Sequence, residues 1–187
     1  MASAWRSSLL AGGCVVLAAL GCTDTTVLAK AFYSKQEALA LAFPEADTVD
    51  NHTFFLTDEQ VERVVALAAT PVESKLVTFY VGRKDGQILG YAAIETHIVR
   101  TLPETFLIVV SPHGVVQKLF VLAFYEPEEY LPSERWLRQF QQKPLTPDLQ
   151  LRRDIHGIAG STLTARAVTS GVRKVLALFQ VLIQENR

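Results

Sequence analysis

Between residues 76 and 124 the chain passes through four apolar, β-rich stretches separated by turn signals, and this run constrains the fold more than any other feature. Residues 76–81 lead into Arg83-Lys84-Asp85-Gly86, and residues 87–94 return; Asp-Gly between two apolar runs is hairpin chemistry. Residues 105–110 and 115–124 flank Ser111-Pro112-His113-Gly114 and predict a second hairpin. Four successive antiparallel strands with one polar face require helices over the other. The predicted class is therefore α+β: a twisted antiparallel β-sheet packed by helices, the last of them long.

The flanking segments supply those helices. Ser34 to Glu37 and Thr57 to Gln60 are capping-box patterns, each opening a helix, with Pro44 and Pro71 as the stops. In the second, Val61, Val64, Val65 and Leu67 share a face; residues 52–55 between the two helices read as a short strand. Ser133 caps a helix with Trp136, Leu137 and Phe140 on one side. The terminal helix directs Val168, Val172, Val175, Phe179 and Leu182 at the sheet, leaving Arg173, Lys174, Gln180 and Glu185 for water. Residues 96–105 read as a connection between two strands.

Residues 1–29 read as an export signal, with Arg6 as the positive charge and residues 9–20 as an apolar stretch of matching length. Two endings are open. Ala19-Leu20-Gly21-Cys22 resembles a bacterial lipobox, which would leave Cys22 as a lipidated N-terminus. Val27-Leu28-Ala29 fits an ordinary cleavage site. Either places the domain, residues 30–187, in the periplasm or on the outer face of the inner membrane; an uncleaved anchor is the third possibility. Both cysteines, Cys14 and Cys22, fall in this leader, so the domain has no disulfide and no thiolate metal site. A net charge of −1 without a basic run is not the footprint of a nucleic-acid binder.

The candidate site is the glycine-punctuated stretch from Arg153 to Arg166, which runs into the terminal helix. Ser161, Thr162 and Thr164 place three hydroxyls around the first helical turn, where unpaired N–H groups and the positive end of the helix dipole meet. That arrangement suits a phosphate. It equally suits plain helix capping. His156 can titrate near neutrality but has no Ser or Cys nucleophile beside it, and His52, His97 and His113 show no metal-ligand spacing. No catalytic and no metal-binding residue is assigned.

The segment Ala159-Gly160-Ser161-Thr162-Leu163-Thr164 resembles the Ser/Thr-Gly-Ala-Thr-x-Ser/Thr signature of the FMN-binding domain family, to which the flavin-carrying subunits of the sodium-pumping NADH:quinone oxidoreductase and of the Rnf complex belong. The likeness covers residues 75–179, including Gly86-x-Ile88-x-Gly90 and the order of hairpins. It implies FMN joined through its phosphate to Thr162 by a dedicated flavin transferase. Gly160, Ser161, Leu163, Thr164 and Ala159 would surround the ester, and Arg166, four residues on, would balance charge. Glu126 falls where the family has the Glu of a His-x-Glu-Thr-Pro-Gly loop, although the rest of that loop differs. Leu102 and Tyr125 are the expected ring contacts. Two departures stand out: His156 occupies the family's Asp position, and Ser161 replaces Ala and offers a competing hydroxyl. The function implied is an electron-transfer carrier between redox partners at the membrane. The alternatives are a flavin-free binding or scaffold module and a flavin-dependent small-molecule reductase.

Overall fold

The computed structural model describes residues 30–186, so the leader and its two endings lie outside the described residues. Six strands form one antiparallel sheet: β1 (Lys30–Ala31), β2 (Thr48–Phe55), β3 (Leu76–Lys84), β4 (Gln87–Val99), β5 (Leu102–Val110) and β6 (Val116–Phe124). Their order across the sheet is β1-β6-β5-β4-β3-β2. The four expected strands form its centre. Asp85 and Gly86 both take positive φ, +49° and +76°, which is what a two-residue hairpin turn demands.

Two expectations change in extent. The segment read as a connection from 96 to 105 is itself hairpin: β4 pairs with β5 through to Val99 opposite Leu102, leaving only Arg100 and Thr101 to turn. The strand read at residues 52–55 begins at Thr48 and pairs along its length with β3.

Both early helices, α1 (Lys35–Ala42) and α2 (Asp58–Ala68), carry complete capping boxes. The hydroxyls of Ser34 and Thr57 each accept from the backbone N–H three residues on. α1 covers one face of the sheet, where Ala38, Ala42 and Phe43 pack with Ala92, Leu107, Val109 and Leu122. α2 presents Val64 and Ala68 to the larger core on the other face, with Val61 and Leu67 at its margin; Val65 is turned outward. Ser133 caps a single turn, α3 (Glu134–Leu137), continued as a 3₁₀ turn through Phe140, and Trp136, Leu137 and Phe140 are buried as expected.

The long helix α4 (Thr162–Phe179), extended by a wide π turn from Gln180 to Gln184, lies along β4 and β5 with α2 beside it. Its stripe of Val168, Val172, Val175, Phe179 and Leu182 is buried. Arg173 and Lys174 are not the solvated pair expected: their relative exposures are 7% and 6%. The reason is that α4 is enclosed on more than one side, and each cation has found a partner distant in sequence. Arg173 donates to the carbonyls of Ala68, Leu67, Thr146 and Leu149 at 2.7–3.3 Å, closing the C-terminal end of α2. Lys174 Nζ lies 2.7 Å from Glu73 and 2.5 Å from Glu95.

Candidate functional site

Formation of the site starts with the way the irregular segment before α4 is held. Leu149 and Ile155 are fully buried. The Trp136 indole donates to the His156 carbonyl at 2.7 Å, and the His156 N–H donates to Gln139 at 2.9 Å. These bonds hold the backbone of His156 while leaving the residue exposed. Gly160 then takes a φ of +77°, a left-handed conformation that strains any residue with a Cβ, and delivers the chain to the helix start.

Unlike α1 and α2, α4 begins without a side-chain cap. Ser161 occupies the cap position, but its hydroxyl donates to the Tyr130 carbonyl at 2.9 Å and the residue is only 3% exposed. Thr162 and Leu163 are exposed, whereas Thr164 is buried. The three hydroxyls of the first turn are therefore not equivalent. Thr162 is the exposed residue of the three, beside helix N–H groups that its neighbour does not cap.

Thr162 lies where two clefts meet. The larger, 380 Å³, is bordered by Thr162, Arg166, Thr169, Arg173, Arg152 and Gln150. Arg152 and Arg166 are exposed at its rim, while Arg173 has committed its donors to carbonyls. The smaller, 140 Å³, lies between residues 160–164 and Val99, Arg100, Glu126 and Tyr130. There Glu126, 6% exposed, has Oε2 3.5 Å from Arg100 Nη1, and the Arg100 guanidinium sits 5.0 Å from the centre of the Tyr130 ring. Behind Glu126 is Glu104, fully buried on β5. Burial, reinforced by the nearby Glu126 charge, pushes the Glu104 carboxyl up to about 8, so it holds its proton at neutral pH.

Of the expected site residues, Gly160, Ser161, Thr162, Leu163, Thr164 and Glu126 thus line one cleft, and Arg166 shares the other with Thr162. Ala159 is exposed immediately before the turn. Leu102 and Tyr125 are half-buried and border neither cleft. Arg100, Tyr130, Arg152 and Glu104 were not foreseen. Glu104 had a signal: extending the period-two alternation of β5 back from Phe106 and Ile108 puts it on the core face.

The fold and site together define an open antiparallel sheet with a ligand-sized cleft at the uncapped start of its core helix. No family model matches the chain. The chain is similar, at 26% identity over 66% of its length, to a subunit of the Na⁺-translocating ferredoxin:NAD⁺ oxidoreductase complex of Acetobacterium woodii. The match covers 65% of that protein, so the chain spans just under two thirds of its relative.

Proposed function

We propose that this chain carries FMN, esterified through its phosphate to Thr162, and passes electrons between redox partners in a membrane-associated assembly outside the cytoplasm. The observation that carries the reading is the exposure of Thr162, alone among the three hydroxyl-bearing residues, at the start of α4. Its neighbour Ser161, the competing acceptor, is buried and bonded to Tyr130.

The residues present fit the group. First-turn N–H groups can hold the ester oxygens, and Arg152 and Arg166 offset the remaining charge. The 380 Å³ cleft lies within the range of small-molecule sites. When bound, a flavin supplies one- and two-electron redox chemistry, and the protein supplies attachment, orientation and electrostatics. The similarity to part of a ferredoxin:NAD⁺ oxidoreductase complex agrees with electron transfer as the role. Maturation would need a flavin transferase, and the leader at residues 1–29 would carry the domain out, through cleavage or through a lipid at Cys22.

Co-expression with a flavin transferase followed by intact-mass measurement tests the reading. The expected product gains the mass of FMN less one water; Thr162→Val abolishes the gain and Ser161→Ala retains it. An unmodified protein, or modification that survives Thr162→Val, would refute it.

A further inference from the structure

Among the described residues, the buried side-chain polar atoms without a hydrogen-bond partner are His97 Nε2, both carboxyl oxygens of Glu104, and Glu126 Oε1. All belong to one row. His97 stands directly opposite Glu104 in the β4–β5 ladder, which places both side chains on the α4 face. On the other side Phe124 of β6 faces Glu104, and Glu126 follows two residues later at the 140 Å³ cleft.

In the opposite direction the row continues along β4. Glu95 Oε1 lies 3.7 Å from His97 Nε2 and 2.5 Å from Lys174 Nζ. Lys174 reaches Glu73, whose side chain is 66% exposed, and Glu73, Glu95 and Lys174 border a separate cleft of 260 Å³. α4 closes over the row at Gly171, where a Cβ would collide with His97 Nε2. Unpartnered polar atoms in such numbers are ordinarily satisfied by ordered water, and here they run from Glu126 at the first cleft to His97, where the ion-paired Glu95 and Lys174 take over toward the second.

We propose that Glu126, Glu104, His97, Glu95 and Lys174 form a proton path beneath α4, joining the cleft at Thr162 to the cleft at Glu73. The path deepens the flavin reading and rests on it for its purpose: a group reduced in the first cleft by a redox protein needs protons as well as electrons. A proton leaves the Glu104 carboxyl for the Glu126 carboxylate and passes from there to the reduced group. The vacated Glu104 is refilled through the His97 ring from the Glu95–Lys174 side, which exchanges with solvent at Glu73. Only O–H and N–H bonds break and form, and the electrons come from the redox partner.

The protonation states match that order. Glu104 keeps its proton to about pH 8 because of burial and the Glu126 charge. His97 is held neutral, its pKa lowered to about 4 by burial and then by the Lys174 charge, against the pull of Glu73. Burial raises Glu95 too, opposed by Lys174. For Lys174, burial works against the ammonium, and Glu73 and Glu95 overcome it. The other polar groups at the Glu126 end are Arg100, Tyr130, Ser161, Thr162 and Thr164.

The test uses flavin-free protein. Infrared difference spectra between about pH 6 and about pH 10 should show a protonated-carboxyl band at the lower pH that Glu104→Gln removes. In D₂O that band should shift at a rate slow enough to follow at low temperature, and in the double variant His97→Gln/Glu126→Gln the shift should slow about tenfold or more. Should the double variant not fold, each single variant should slow it about twofold, because each closes one of two routes of similar weight. A missing band, a band untouched by Glu104→Gln, or exchange insensitive to these variants overturns the path. These readouts are independent of flavin: if they hold while Thr162 stays unmodified, the path stands and the flavin reading falls.

Discussion

Replacing Glu104 with glutamine removes the one ionisation that folding of this domain opposes most strongly. The carboxyl is fully buried on β5, and its pKa rises from 4.5 to about 8 on folding. Between those values the folded chain binds a proton that the unfolded chain has released, so stability falls as pH rises through this window. At pH 7 the pKa difference spans about 2.5 units of the window, which at about 1.36 kcal/mol per unit amounts to about 3 kcal/mol. Glutamine matches the shape of the protonated acid and does not titrate. Urea unfolding of the two proteins should therefore give similar free energies near about pH 5, with the variant gaining about 1.4 kcal/mol per pH unit up to about pH 8. Other titrating groups cancel in the comparison. A difference that stays constant with pH would show that Glu104 is ionised in the folded protein.

His97 should produce the opposite slope on the acid side. Its pKa falls from 6.5 to about 4, so below 6.5 the unfolded chain takes up a proton that the folded chain refuses, and stability declines by about 1.4 kcal/mol per unit down to about pH 4. His97→Gln should flatten that limb in acid unfolding curves; an unchanged limb would remove the assignment. Arg173→Met should destabilise by about 3 kcal/mol or more, because it strands carbonyls at the end of α2, and Arg173→Lys should recover little since one ammonium cannot reproduce the fork. Thermal and urea denaturation would measure both. Gly171→Ala should cost about 1–3 kcal/mol despite alanine's better helix propensity, since its Cβ meets His97 and Glu95. His97→Ala in the same chain should recover much of that loss, and a double-mutant cycle with no coupling would contradict the close approach.

What could be read in the residues was whatever depends on near neighbours. The capping boxes at Ser34 and Thr57, the Asp85-Gly86 turn and the buried stripe of α4 are all written within a few positions of where they act. The fates of Arg173 and Lys174 were not legible, because their partners lie about a hundred residues away: the carbonyls of Ala68 and Leu67, and Glu73. A polar face predicted from periodicity assumes that the helix has a wet side, and here α2 and the segment around Thr146 and Leu149 cover it. Pro103 and the charged residues around it made 96–105 look like a loop. In the fold Pro103 sits opposite Ile98 near the start of β5, where its missing N–H is tolerated. At the candidate site, the position of Thr162 followed from the motif, whereas the inequality of its three hydroxyls did not. That depends on the Tyr130 carbonyl, thirty-one positions upstream of Ser161.

The way the chain enters the sheet has a mechanical consequence. Lys30 lies opposite Phe124 in the β1–β6 pair and reaches Glu128 at 3.3 Å, so the first described residue sits beside the segment that carries Glu126 and Tyr130. If the proposed leader tethers the domain, the tether and the end at which it would meet a redox partner share one corner.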